Sequence, residues 1–403
     1  MKPQFNTLAE IYEHSVTSFP KRTAAEFVGG AQSYTYAQFR DCCDNISKRL
    51  SNFGIGAGDK VAILSENSPN WSAAFFAITV YGRIAIPMLP ELSAGEVENI
   101  LVHSEAKAIF VSKKQLPKLS EEAIGRLKLV IAIGDLSFIK AEGSSYTCDG
   151  KVSRPTALDT AAILYTSGTT GKAKGVMLCH RNFCTNVLTS WYSYKIGPRD
   201  VFLSILPMAH TYEMSIGMLY PFAMGAKVEY LQKVPTPSIL IATLAKIRPT
   251  AMLSVPLIIE KIYRSSIVPT ISKSKFLSYL DKHAKGLLYT MVGMKLKKTF
   301  GGRIGFFGIG GAKLDPEVEV FLKKARFPYA IGYGLTETAP LICSAAPRRT
   351  WPGTTGRPVK GIEVKLEDVN PQTGEGEICV KGPNVMLGYY KDYERTESVL
   401  SQD

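Results

Sequence analysis

The sequence predicts an α/β protein with mostly parallel sheets, and three observations carry that prediction. Apolar strand-like runs alternate with helical patterns along most of the chain, as at residues 60–64, 93–104 and 108–111. Such alternation needs right-handed crossovers, which lay successive strands parallel. At 403 residues the chain exceeds what one core normally holds, so two or more packed lobes are expected. Beyond Trp351 the pattern changes to short runs between Gly/Pro turns, 361–367 and 376–381, which reads as a small antiparallel subdomain.

In chain order, residues 5–20 read as a short helix ending near Pro20. Stretches 24–28 and 32–34 form a hairpin about Gly29-Gly30, and Thr35 caps the next helix. Phe39, Cys42, Ile46, Leu50 and Phe53 fall at helical spacing and define its buried face. A strand follows at 60–64, and Ser68-Pro69 opens a helix with a cap and a first-turn proline. Strands are expected at 84–87, 108–111 and 127–133, with a helix over 93–104. Residues 135–154 are polar and read as an irregular connection into a buried strand at 161–165. Later helices are expected at 181–192, 213–222, 237–246 and 316–325. The later strands are 201–206, 227–231, 251–254, 303–308 and 327–331.

The strand at 161–165 empties into Thr166-Ser-Gly-Thr-Thr-Gly-Lys-Ala-Lys174. Thr166, Ser167, Thr169 and Thr170 supply rotatable hydroxyl donors, and Lys172 and Lys174 supply countercharge. Gly168, Gly171 and Gly175 let backbone N–H groups close on an anion. That makeup suits a polyphosphate. The Walker A spacing is absent, because two residues instead of four separate Gly168 from Gly171-Lys172 and Ala173 follows. A flexible Gly/Thr surface loop would account for the glycines and threonines but not for the buried strand before them.

Three further stretches carry candidate chemistry. Leu206-Pro-Met-Ala-His210 ends in a histidine, and a lone histidine after a strand is more often packed or at the surface than functional. Gly308-Ile-Gly-Gly-Ala312 lies between a strand and a helix, yet Lys313 occupies the third glycine position of a dinucleotide fingerprint. A NAD site is therefore disfavoured, and a tight glycine turn is the plain reading. Ile331-Gly-Tyr-Gly-Leu-Thr-Glu-Thr338 offers a flat ring in Tyr333, close approach at Gly332 and Gly334, and a hydroxyl at Thr336. Glu337 adds an oxygen ligand of the kind Mg²⁺ prefers. As a bare string, Thr-Glu after glycine could equally be a helix cap.

Hydrophobic content of 45% and charged content of 21% are those of a globular protein. The most apolar window, 71–89, is broken by Gly82, Arg83 and Pro87 and falls short of the roughly 18 apolar residues of a membrane span. The start Met1-Lys-Pro-Gln-Phe-Asn has no apolar h-region, so no signal peptide is expected. The cysteines (42, 43, 148, 179, 184, 343 and 379) contain no Cys-x-x-Cys pair, which reads as reduced thiols in a cytoplasmic protein. The scattered histidines show no metal-ligand cluster. The charge of +13 is concentrated at 260–303, where ten Lys/Arg face only Glu260 and Asp281. Interleaved Phe276, Leu277, Tyr279, Leu280, Leu287, Leu288 and Tyr289 allow two readings. One is a basic amphipathic helix pair touching anionic lipid or cofactor phosphates, the other a core-facing stripe with a solvated cationic back. No recognition motif supports nucleic-acid binding.

The 166–175 loop resembles the phosphate-loop signature of the adenylate-forming superfamily of acyl-CoA synthetases, luciferases and peptide-synthetase adenylation domains, with Ala173 where proline is usual. Tyr333-Gly-Leu-Thr-Glu337 is similar to the same family's Tyr-Gly-x-Thr-Glu motif. Gly353-Thr-Thr-Gly-Arg-Pro358, Gly374-Glu-Gly-Glu-Ile-Cys-Val-Lys-Gly-Pro383 and Gly388-Tyr-Tyr390 extend the likeness over essentially the whole chain. The resemblance implies an α/β fold of two packed, mostly parallel sheets with flanking helices and a small β-rich subdomain. Residues 1–350 would be paired lobes carrying the ATP and acyl sites, and 351–403 the β-rich part.

For the site, the resemblance implies that Thr166, Ser167, Gly168, Thr169, Thr170, Gly171 and Lys174 hold phosphates. Tyr333 would stack on adenine, with Gly332 and Gly334 permitting its approach, and Gly310, Gly311 and Ala312 would wall the adenine and acyl group. Thr336 would donate to the α-phosphate, Glu337 would hold Mg²⁺, and His210 would meet the substrate carboxylate. The activity implied is conversion of a fatty acid and ATP to acyl-AMP and pyrophosphate, followed by transfer to coenzyme A. Pro207-Met-Ala-His210 and the basic insert are most similar to long-chain fatty acyl-CoA synthetases. An acyl carrier protein as acceptor, or a nucleotide- and acyl-binding module without turnover, are the alternatives. The family continues with a ribose-binding aspartate, a hinge and a small domain bearing a catalytic lysine, so the expectation is the large N-terminal domain of a longer enzyme.

Overall fold

A computed structural model describes residues 4–143, 154–166, 174–233 and 235–401. Two mixed sheets organise them. The larger has nine strands, in the order Arg357–Pro358, Leu341–Ala345, Tyr329–Gly334, Phe306–Ile309, Ala251–Ser254, Val201–Ser204, Lys227–Tyr230, Thr23–Phe27 and Ser33–Thr35. From Tyr329–Gly334 to Thr23–Phe27 it is parallel, and its edges are antiparallel. The second has eight strands: Gly388–Tyr389, Lys174–Cys179, Thr160–Thr166, Ile84–Met88, Lys60–Leu64, Ala108–Val111, Leu129–Ala132 and Phe138–Ala141. It too is parallel in the middle and antiparallel at both edges.

Helices fill the space between the sheets. Pro69–Thr79 has all eleven residues buried and touches Thr23–Phe27 of one sheet and Lys60–Leu64 and Ile84–Met88 of the other. A helix apolar all round suits only such a position. It starts where expected, with the Ser68 hydroxyl accepting from Trp71 N at 3.0 Å and Pro69 in the first turn. Around it the rings of Phe76 and Phe222 lie 4.4 Å apart, with Phe39 5.0 Å from Phe222. Arg83, which interrupts the apolar window, is itself buried. Its guanidinium donates to Ile55 O at 2.9 Å and to the Ser47 and Ser51 hydroxyls at 3.0 and 2.6 Å, the compensation a buried charge requires.

Several elements differ from the pattern reading. Helix Tyr36–Asn52 carries the expected Thr35 cap, as a capping box with Gln38, but it buries Cys43 rather than Cys42. Adjacent helical positions differ by about 100°, and only one of the pair can face the core. Phe138–Ala141 is a strand inside the segment read as irregular, because an exposed antiparallel edge needs no apolar run. Lys174–Cys179 and Leu341–Ala345 are also strands; their short apolar runs abut a helix and a turn, where periodicity cannot separate strand from helix. Residues 213–222 form a π-helix, Glu213–Leu219, followed by Tyr220–Ala223.

The described residues from 351 to 401 are shared out. Glu363–Glu367 and Glu377–Lys381 pair as a separate hairpin, whereas Arg357–Pro358 extends the larger sheet and Gly388–Tyr389 the smaller. The cysteines among the described residues are free thiols, and among those residues no helix is long and apolar enough to cross a membrane.

Candidate active site

Strands Thr160–Thr166 and Lys174–Cys179 pair antiparallel, with Tyr165 opposite Gly175 and Thr166 opposite Lys174. The hydroxyl- and glycine-rich segment therefore connects two antiparallel neighbours in the sheet. Ser167, Gly168, Thr169, Thr170 and Gly171 lie outside the described residues, as do Lys172 and Ala173. Both hairpin ends are described. The Thr166 hydroxyl is buried without a hydrogen-bond partner among the described residues, a costly state that an incoming acceptor would relieve. Gly175 is required by packing, since a Cβ there would lie 2.9 Å from Ile163 Cγ2.

At the other end of the loop, Lys174 Nζ stands 3.0 Å from Glu337 Oε1 and donates to Tyr389 OH at 3.0 Å. Tyr389 OH in turn donates to Glu337 Oε1 at 2.9 Å, and the ammonium lies 4.7 Å from the Tyr389 ring centre. Partial burial opposes both charges, but the shared hydrogen bonds outweigh it. They hold the Glu337 carboxyl below and the Lys174 ammonium above their ordinary pKa values.

The triangle is held from three sides. Strand Gly388–Tyr389 pairs with Lys174–Cys179, and Tyr389 N donates to the Thr396 hydroxyl at 2.9 Å. Met386 N donates to Glu337 O at 2.8 Å. From helix His180–Ser193, the buried Asn186 donates to Thr338 O at 3.2 Å and accepts from Leu341 N at 2.9 Å. Gly334 allows the turn to close, because a Cβ there would fall 1.6 Å from Pro340 O. Tyr333, Thr336 and Glu337 are all half-buried on this turn.

The paired strands Phe306–Ile309 and Tyr329–Gly334 set Ile309 opposite Ile331 and bring Gly310 against Gly332. A Cβ on Gly310 would lie 3.4 Å from Gly332 O and 3.3 Å from the Tyr212 ring. Gly311 has a φ of 86°, and Ala312 beside it is exposed. From Gly332 and Tyr212 a cavity of about 40 Å³ runs inward between the larger sheet and the helices, lined by Gly308, Phe306, Tyr194, Ile216, Tyr220 and Leu341.

His210 lies beyond the end of Val201–Ser204, two residues before Tyr212, and remains solvent-accessible. Its surroundings lower the imidazole pKa by desolvation, with Glu91 acting in the opposite direction. Among the described residues no hydrogen bond joins His210 to Lys174 or Glu337. Sequence reasoning did not find Tyr389 or Asn186 as site residues. Tyr389 sits in Gly388-Tyr-Tyr390, a stretch noted only for its likeness, and nothing local marks an asparagine inside a helix as a scaffold.

A profile of the AMP-binding enzyme family matches residues 12–390. The chain belongs to that family. Long chain acyl-CoA synthetase 6, peroxisomal, of Arabidopsis thaliana is 31% identical to it over 451 residues, which take in 100% of this chain and 64% of that protein. Fatty acyl-CoA synthetase A of Dictyostelium discoideum is 27% identical over 420 residues, 93% of this chain and 62% of that protein. The chain thus spans somewhat less than two thirds of the length of these curated relatives. Among solved structures, the anthranilate CoA ligase AuaEII in complex with anthranoyl-AMP superposes with a TM-score of 0.78 at 19% identity, covering 98% of this chain and 72% of that one. The N-terminal domain of FACL13 from Mycobacterium tuberculosis gives 0.76 at 18% identity, covering 98% and 94%. These likenesses establish the α/β fold of this member of the AMP-binding enzyme family.

Among the described residues no group of three or more His, Cys, Asp or Glu could hold a metal ion. Mg²⁺ does not need one, since it takes one or two carboxylates and fills its octahedron with phosphate and water oxygens. The single carboxylate of Glu337, next to the loop, fits that donor set.

Proposed function

We propose that this AMP-binding chain activates a long-chain fatty acid with ATP to acyl-AMP and passes the acyl group to coenzyme A. The observation that carries the proposal is the meeting of Lys174, at the end of the hydroxyl- and glycine-rich loop, with Glu337, at the end of the Tyr333–Glu337 turn, 3.0 Å apart. On the same strand as Tyr333, Gly332 opens onto the apolar cavity. A nucleotide held at the first place would present its α-phosphorus near the mouth of the second.

The chemistry asks for charge stabilisation more than proton transfer. A carboxylate oxygen attacks the α-phosphorus, the bond to the pyrophosphate oxygen breaks, and negative charge accumulates on the phosphoryl oxygens. In this reading the Thr166 hydroxyl and the Lys174 ammonium take those oxygens, together with the loop donors, and Thr336 takes the α-phosphate. Tyr333 gives its ring to adenine, Gly310, Gly311 and Ala312 form the wall, and His210 meets the carboxylate at the cavity mouth. Glu337 would hold Mg²⁺, which supplies countercharge to the phosphates when bound. The relatives' names, long chain acyl-CoA synthetase and fatty acyl-CoA synthetase, support the acyl class and coenzyme A as acceptor.

ATP–pyrophosphate exchange across carboxylates of increasing chain length tests the reading. Exchange driven by fatty acids supports it, and exchange driven by amino acids alone overturns the fatty-acyl assignment. Nucleotide and fatty-acid binding with no exchange in the full-length protein would favour a module without turnover. An acyl carrier protein that replaces coenzyme A in the second half-reaction would change the acceptor only.

We also infer peripheral contact with anionic membrane through the basic insert. Leu280, Leu288 and Leu296 are buried there as a core stripe, yet Phe276, Tyr279, Leu287 and Met294 are each more than half exposed. Among the described residues, Arg264 alone of the cations at 260–303 has an ion-pair partner, Asp315 at 2.6 Å. Exposed aromatics among unpaired lysines support adsorption to an anionic surface. Flotation with vesicles containing phosphatidylglycerol, lost at high salt and absent with phosphatidylcholine alone, is the expected result; equal flotation with both would refute it.

A further inference from the structure

We infer that Ile196 sets the length of the acyl group this chain accepts, acting as a partition between two apolar spaces; the inference rests on the reading of the cavity as an acyl site. The cavity that begins at Gly332 reaches Ile196 at its other end, and the same side chain lines a second groove, open to the surface, with Phe5, Phe19, Trp191 and Met224. Ile196 is the one described residue that lines both.

The direction of the cavity follows from the strands. Gly332 lies toward the carboxyl end of Tyr329–Gly334, where α/β sheets bind ligands. Phe306 and Phe202, which also line the cavity, lie at the amino ends of their strands. Ile196 stands beyond them, in the connection between helix His180–Ser193 and strand Val201–Ser204. A carboxylate at the nucleotide end therefore points its tail at Ile196. The connection begins from a fixed point, because Tyr220 OH donates to Tyr194 O at 2.6 Å. The Ile196 side chain itself is only partly buried against the core, so it can yield to a methylene chain without breaking a hydrogen bond. Past it, Trp191 and Phe19 offer apolar cover to the end of a longer chain, whereas a shorter chain has less of itself to place beyond the partition.

The test is calorimetric binding of octanoate and octadecanoate to the unmodified chain and to the Ile196→Trp, Ile196→Ala and Trp191→Asp variants. Burying one methylene is worth about fourfold in affinity. Ile196→Trp should therefore weaken octadecanoate by at least about tenfold while leaving octanoate within about twofold. Ile196→Ala should hold or strengthen octadecanoate. Trp191→Asp, at a half-exposed position outside the cavity, should weaken octadecanoate alone, and it serves if the bulky variant does not fold. Equal changes for both acids, or octadecanoate binding untouched by Ile196→Trp and Trp191→Asp, overturn the inference while leaving the acyl reading standing. An unmodified chain that binds neither acid overturns both.

Discussion

Lys174 Nζ and Glu337 Oε1 lie 3.0 Å apart, joining the end of a hairpin loop in one sheet to a turn leaving the other. The cationic end of the loop is thereby neutralised until something more anionic than a single carboxylate arrives. Because the Glu337 carboxyl is held below its ordinary value of 4.5, the stability this pair contributes is present above that pH. It is lost as the pH falls through the lower folded-state value.

Tyr389→Phe tests the third corner of the triangle. The substitution keeps the ring beside the ammonium and removes the hydroxyl that bonds both Lys174 and Glu337. Mg·ATP affinity by calorimetry should fall about three- to tenfold, the worth of one hydrogen bond, with little change in melting temperature. Glu337→Ala should cost more, and unchanged Mg·ATP affinity in that variant would remove the assigned metal role.

Thr166→Val separates stability from binding. The hydroxyl is buried and has no partner among the described residues, so an isosteric methyl should leave thermal stability equal or slightly raised. If that hydroxyl serves a phosphate, ATP affinity should drop by about 1–3 kcal/mol. A variant that loses stability but keeps ATP affinity would place the hydroxyl in the fold instead of the site.

Glu213→Gln tests a buried acid. Burial raises the Glu213 carboxyl from 4.5 to about 8, although Ser204 hydrogen-bonds to it. Between those values the unfolded chain loses a proton that the folded chain retains, so stability falls as the pH rises. The variant should flatten that slope and melt higher than the unmodified chain at pH 8, with about 5 kcal/mol as the upper limit of the gain. Parallel melting curves from pH 5 to 8 would count against it.

Gly334→Ala forces a Cβ toward Pro340 O, so the turn that carries Thr336 and Glu337 must shift. A loss of about 1–3 kcal/mol of stability and a parallel loss of Mg·ATP affinity are expected. Circular-dichroism melts and calorimetry together would show both.

Strand–helix alternation, the Ser68-Pro69 helix start and the Thr35 cap were all legible in the sequence, because each depends on residues within a turn or two of each other. So was the composition of the loop and of the Tyr333–Glu337 turn, which fixes what chemistry those segments can offer. Their meeting was implied by the family resemblance, but the contact that makes it was decided by tertiary structure. Lys174 reaches Glu337 only because an unrecognised antiparallel strand returns the loop to the sheet edge, where Gly388–Tyr389 pairs beside it. Asn186 holds the turn from a distant helix, and Ile196 lines two spaces whose walls come from widely separated parts of the chain. Periodicity reports which face of an element is buried, whereas a contact between elements depends on sheet order and register, which no local pattern encodes.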